Sequence, residues 1–183
     1  MNLFDFATQF IAEKYENVYR AGVVVPYTTH LFGVARLLKS AGYREEVVIA
    51  GLLHDCLEDG RADERELRTF FGDEIAKLVK VSTEPDKNIV WEQRKKEVLN
   101  TIQHKTDEQL AIVLAEKTHN VRAITVEVAQ LGEQVWANLK APKEKQEWYY
   151  RSIIEKVKIY HPNAVLLCQL EQAVEKLFIR VEN

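Results

Sequence analysis

The stretch Ala50-Gly51-Leu52-Leu53-His54-Asp55-Cys56-Leu57-Glu58-Asp59-Gly60 decides how this chain is read. An apolar run, Val47 to Leu53, ends in four side chains able to ligate metal or move protons, all within six positions. The spacing predicts a helix over 44–59, apolar all round in its middle, and therefore central and buried. Three carboxylates at the end of that helix meet the negative pole of its dipole, which is costly without a cation. His54 and Asp55 stand about 100° apart on a helix, and Glu58 and Asp59 repeat those directions one turn later. Imidazole and carboxylate together suit a divalent first-row metal: Mn, Fe, Co or Zn.

Outward from this stretch the chain is helical at almost every step. Apolar residues recur at helical spacing over 2–17 (Leu3, Phe6, Phe10, Ile11) and over 27–40 (Leu31, Val34, Ala35, Leu38). Between them, Gly22-Val23-Val24-Val25-Pro26 is a short loop whose valines are too few for a confident strand. Asp63 followed by Glu66 starts the next helix in the manner of a capping box. That helix runs to about Val81 with a break near Phe71-Gly72, and a loop around Pro85 follows over 82–88. Further helices are expected over 89–104 and 107–130, and the last third is helical, broken at Pro142 and at His161-Pro162. Repeats, low-complexity segments and linkers are not evident. The expectation is one all-α domain over 1–183.

Composition narrows the class. The 183 residues are 46% apolar and 29% charged, with seven Gly and four Pro, a globular and helix-rich balance. A net charge of −3 argues against a dedicated nucleic-acid binder. Two cysteines make no disulfide framework, which points to a reducing compartment. The N-terminus lacks the pattern of a signal peptide, and apolar runs fall short of the ~20 residues of a membrane span. A cytoplasmic location is expected.

Two other segments complete a metal site. His30, in Pro26-Tyr27-Thr28-Thr29-His30-Leu31, opens the helix before the central one, and antiparallel packing would bring it alongside. Glu116, in Ala115-Glu116-Lys117-Thr118-His119-Asn120, interrupts an apolar run, with Asn120 one turn further on the same face. His119, a step round that helix, reads as structural, and Cys56 as a small packed residue.

The ordered set of His30, His54-Asp55 and a late acid resembles the HD superfamily of metal-dependent phosphohydrolases. The strings YRAGVVVPYTTHLFGVARLL, AGLLHDCLEDG, FGDEIAKLVKVSTEP, WEQRKKE and LAEKTHNVRAI are similar, in the same order, to the hydrolase domain of RelA/SpoT-type proteins. A small member of that group, laid out like the metazoan SpoT homologues, is expected to be an HD-type helical bundle. The resemblance implies an Mn²⁺-dependent pyrophosphohydrolase that removes the 3′-diphosphate of guanosine tetraphosphate and pentaphosphate. By position it makes His30, His54 and Asp55 metal ligands, with Glu116 standing where the family has a ligating Asp. Glu58 and Asp59 match the pair that orients or deprotonates the attacking water. Asn120 matches a residue near metal and substrate, and Arg20 a phosphate contact. Ala21 stands where the family carries a second basic residue. Three functions stay open: hydrolysis of a nucleoside 3′-diphosphate, removal of phosphate from another phosphorylated nucleotide, and a non-catalytic binding module whose metal site Glu116 impairs. The Trp148-Tyr149-Tyr150-Arg151 stretch, similar to one in the small members, fits either a base-binding wall or core packing. The expected partner is a small phosphorylated nucleotide, with no nucleic acid and no membrane; self-association into a homo-oligomer stays open.

Overall fold

The computed structural model describes residues 2–84 and 88–179; Pro85, on which the 82–88 loop was centred, lies outside them. Among the described residues there are eight α-helices: α1 Leu3–Lys14, α2 Thr28–Ser40, α3 Glu45–Leu53, α4 Glu64–Ser82, α5 Trp91–Thr101, α6 Asp107–Leu131, α7 Lys143–Tyr160 and α8 Leu167–Leu177. Short 3₁₀ segments, Ile102–His104 and Gly132–Asn138, extend α5 and α6. The valine loop forms no strand, only one antiparallel bridge between Tyr19 and Pro26.

α3 is the hub. Every residue from Val47 to Leu53 is buried, and α1, α2, α4 and α6 all pack against it. α8 packs on α6, and α7 packs on α8, α5 and the 3₁₀ segment Ile102–His104. One hydrophobic cluster takes side chains from all of these helices, from Ala7 and Phe10 in α1 to Leu170 and Val174 in α8. Truncating a fully buried member such as Leu52 to Ala should cost about 2–5 kcal/mol.

Local chemistry sets the helix ends. Asp63 accepts a hydrogen bond from the Glu66 backbone at 2.7 Å and starts α4 as its pattern predicted. Thr106 and Gln109 form a reciprocal capping box that fixes the start of α6, the helix carrying Glu116, His119 and Asn120. The break expected near Phe71-Gly72 is a kink at Gly72, whose φ of 85° and ψ of 166° belong to a region open in practice to glycine alone.

One element differs from expectation. The central helix was predicted over 44–59, yet α3 stops at Leu53, and His54 to Gly60 form a chain of turns. Cys56 N–H reaches back to Leu53 O, Asp59 N–H to Asp55 O, and Arg61 and Ala62 N–H both to Cys56 O. A continued helix would present its polar side chains in a regular spiral against packed α1 and α2. These irregular turns instead keep Cys56 in the core while Asp59 stands in solvent.

Candidate metal centre and its cavity

Three donor atoms, one from α2 and two from the turns that follow α3, converge where the two elements meet. His30 lies on the buried face of α2, in its first turn, and His54 caps α3. Their Nε2 atoms are 3.2 Å apart. Asp55 Oδ2 sits 3.1 Å from His54 Nε2 and 3.7 Å from His30 Nε2. Ligands ~2.1 Å from a common ion and 90–110° apart would themselves be ~3.0–3.4 Å apart, so two of these separations fit one face of a coordination shell closely and the third requires a slightly wider angle. These three are the cluster of metal-type ligands found among the described residues.

The remaining ring nitrogens fix how the imidazoles present themselves. His54 Nδ1 is 2.7 Å from Gly51 O. A carbonyl only accepts, so Nδ1 carries the hydrogen and Nε2 faces the cluster. His30 Nδ1 is 3.0 Å from His119 Nδ1. Burial, followed by nearby cations including Arg20 and Arg36, lowers His119 to about 4, so it is neutral and can accept the His30 Nδ1 hydrogen. Such outer partners orient metal-binding histidines. Tyr27 donates its hydroxyl to Asp55 Oδ2 at 2.7 Å, and burial, reinforced by Asp55, keeps that phenol protonated.

The centre is built for a positive charge. Burial and the charge of His54 hold His30 well below its ordinary value. Burial acts the same way on His54, yet the Asp55 carboxylate outweighs it and raises His54 to about 9. Burial alone would raise Asp55, but His54 and His30 hold it well below the usual carboxylate range. Two facing imidazoles beside an ionised carboxylate, with the far nitrogens already partnered and Tyr27 also on Oδ2, match a divalent cation in number, geometry and charge.

The other expected residues fall into two groups. Glu58, Glu116, Asn120 and Arg20 line one cavity of about 280 Å³ with Tyr27, His30 and Asp55. Glu116 Oε1 is held by Lys117 Nζ at 2.6 Å and by Asn120 Nδ2 at 3.3 Å, and its charge acts on His54. Burial and the carboxylates of Glu84, Asp55 and Glu116 raise the Glu58 carboxyl above its ordinary value, the direction that suits a proton acceptor from water. Arg20 pairs with Glu127 at 3.4 Å, at the boundary with a neighbouring apolar groove. Asp59, expected beside Glu58, is exposed, does not line the cavity, and accepts the Tyr15 hydroxyl at 3.3 Å.

Sequence reasoning left several residues of this cavity unassigned. Glu84, Arg94 and Lys95 are these; they line it together with Lys117 and with Tyr149 of the aromatic stretch. Tyr149 and Tyr150 are buried against the cavity, whereas Trp148 and Arg151 of the same stretch are not part of it. The buried charges gave no signal because α5 reads as an ordinary charged helix until packing hides Arg94 and Lys95. His119 reads as structural and is so, but through a contact with the His30 ring that its own helix cannot reveal.

The sequence pattern of the HD domain family matches residues 7–145. The chain belongs to the HD domain family. Among curated HD-type relatives, the guanosine-3′,5′-bis(diphosphate) 3′-pyrophosphohydrolase MESH1 of Danio rerio is 34% identical over 116 residues, 62% of this chain and 64% of that protein. The human protein of the same name is 34% identical over 119 residues, 63% of this chain and 66% of that one. The match thus spans just under two thirds of these relatives. Among solved structures, lmo0812 from Listeria monocytogenes EGD-e has a TM-score of 0.74 at 34% identity, covering 82% of this chain and 99% of that one. A metazoan ortholog of SpoT, described as hydrolysing ppGpp, has a TM-score of 0.78 over 98% of both chains at 23% identity, which establishes the HD-type helical fold.

Proposed function

We propose that this chain is a metal-dependent phosphohydrolase acting on a phosphorylated nucleotide, and that the nucleotide is guanosine 3′,5′-bis(diphosphate), cleaved to release pyrophosphate. The observation that carries the reading is the convergence of His30 Nε2, His54 Nε2 and Asp55 Oδ2 at the edge of a cavity lined by His30, Asp55 and Glu58. The names of the MESH1 relatives supply the substrate. In the same reading residues 1–183 form a single HD domain, and the protein works in the cytoplasm, consistent with free Cys56 and Cys168.

A bound divalent metal, Mn²⁺ in this reading ahead of Fe, Co or Zn, supplies Lewis acidity that lowers the pKa of water and offsets phosphate charge. His30, His54 and Asp55 would hold it, and Glu116, which lies outside their cluster and is paired with Lys117, would be the fourth ligand. Tyr27 and His119 keep two of those ligands in register. Water attacks the proximal phosphorus of the 3′-diphosphate, the bond from that phosphorus to the 3′-oxygen breaks, and the 3′-oxygen takes a proton as pyrophosphate departs. We assign the proton taken from the water to Glu58, which lines the cavity, in preference to exposed Asp59. Proton transfer of this kind is worth typically ~10²–10⁴-fold. Arg20 and Asn120 meet the substrate's phosphates from the cavity wall.

The test is an Mn²⁺-supplemented screen of phosphorylated nucleotides with pyrophosphate and phosphate measured separately, beside metal analysis of the wild type and Asp55→Asn. Pyrophosphate from a 3′-diphosphate, with stoichiometric metal lost in Asp55→Asn, supports the proposal. Phosphate alone moves the substrate to another nucleotide. No metal and no turnover make the chain a binding module.

A further inference from the structure

The cavity beside the metal cluster is also lined by buried cations. Arg94 and Lys95 from α5 and Lys117 from α6 are 4%, 9% and 4% exposed. Lysine and arginine are almost never this buried unless paired. Their shared partner is Glu84, two residues past the end of α4. It accepts from Lys95 Nζ at 2.5 and 2.7 Å and from Lys117 Nζ at 3.3 Å, and lies 3.3 Å from Arg94 Nε. Lys117 is divided between Glu84 and Glu116. Among the described residues, these three cations share the two carboxylates Glu84 and Glu116.

Two polar groups on this wall are left over. The Tyr149 hydroxyl, on a side chain 2% exposed, has no hydrogen-bond partner among the described residues, and neither does Arg94 Nε. Lys95 Nζ lies 4.8 Å over the Tyr149 ring. Burying an unpaired hydroxyl is unfavourable, and a buried ion cluster is often no more stable than apolar packing of equal volume. Three buried cations, an unpartnered hydroxyl and a guanidinium nitrogen ion-paired but not hydrogen-bonded, all lining one cavity, form the complement of a compact, multiply charged oxyanion.

We propose that Arg94, Lys95, Lys117 and Tyr149 form a binding site for a diphosphate anion, and that Glu84 is its resident counter-ion, a carboxylate that neutralises the wall when the anion is absent and competes with it on entry. Two separated acceptor oxygens of a diphosphate reach Lys95 and Lys117 together and leave others for Tyr149 and Arg94. Glu84 keeps the wall from holding the anion too tightly. The link to catalysis, in which this anion is the departing pyrophosphate, rests on the function proposed above; the binding site itself does not.

Inorganic pyrophosphate is the probe, titrated calorimetrically into full-length protein stripped of metal, so that metal–pyrophosphate contacts do not enter. The wild type should bind, and Glu84→Gln should bind about tenfold more tightly as the competing charge is removed. Lys95→Met should weaken binding at least about tenfold, and Tyr149→Phe about fivefold. Tyr149→Phe removes a single oxygen and carries the comparison if Lys95→Met does not fold. No binding by wild type and Glu84→Gln, or equal affinity in wild type and Tyr149→Phe, overturns the site. Pyrophosphate binding without nucleotide turnover keeps the site and removes the proposed function; turnover without pyrophosphate binding does the reverse.

Discussion

Gly33 sits in the middle of α2, one turn beyond His30, where alanine would ordinarily be the better helix former by about 1 kcal/mol. Here a Cβ would be driven into the His119 ring, meeting Cδ2 and Nε2 well inside van der Waals contact. That ring accepts from His30 Nδ1 at 3.0 Å, so it cannot swing away without releasing His30. Overpacking of this kind costs about 1–3 kcal/mol, which offsets or outweighs the propensity gain. Gly33→Ala is therefore expected to be neutral to about 2 kcal/mol less stable by urea unfolding of metal-free protein. Loss of the outer partner of a ligating histidine typically weakens metal about 10–100-fold, so Mn²⁺ or Zn²⁺ titration against a competing chelator should show that loss. His119→Ala alone should weaken metal to a similar degree. The double variant should recover stability relative to His119→Ala, because the clash is gone, yet not recover metal affinity. A Gly33→Ala protein that is about 1 kcal/mol more stable and binds metal as the wild type does would refute the reasoning.

Tyr27→Phe removes the donor on Asp55 Oδ2 at 2.7 Å and should weaken metal about 10–100-fold with the fold intact; unchanged affinity by chelator competition would count against the positioning role. Glu84→Gln should be destabilising at neutral pH, and the gap should close in acid. Burial alone would raise Glu84, but Lys117 and Lys95 hold its folded value at about 2 against 4.5. A carboxyl lowered on folding contributes its stability above the unfolded value and loses it as pH falls through the folded one, here about 3 kcal/mol between pH 4.5 and about 2. A wild-type-to-variant gap in unfolding free energy that stays constant from pH 6 to 2.5 contradicts this. Gly72→Ala should cost about 1–3 kcal/mol at the α4 kink and leave metal affinity alone; a stabilised variant would mean the kink is not required.

Much of this was legible because single residues carry it. The apolar Val47–Leu53 run marks the buried helix, Asp63 and Gly72 mark the start and kink of α4, and His30, His54 and Asp55 meet as their pattern implied. What was not legible depends on contacts between elements. The end of α3 at Leu53 follows from the turns that send Asp59 outward, and nothing in the residue order distinguishes Glu58 from Asp59. Tyr27, His119 and Gly33 act through α2 lying against α3 and α6. The Arg94–Lys95–Lys117 wall exists only because α5 and α6 bury charges around Glu84, from a segment that reads as loop. Periodicity reports which face is apolar, not which charge will be enclosed by another helix.

The central claim is tested most directly by incubating metal-loaded protein with guanosine 3′,5′-bis(diphosphate) and measuring pyrophosphate release for the wild type and Glu58→Gln, with bound metal determined on the same samples. The account predicts release by the wild type and a loss of at least about 10²-fold in Glu58→Gln at full metal occupancy. Release by Glu58→Gln at the wild-type rate, or none by metal-loaded wild type, would contradict it.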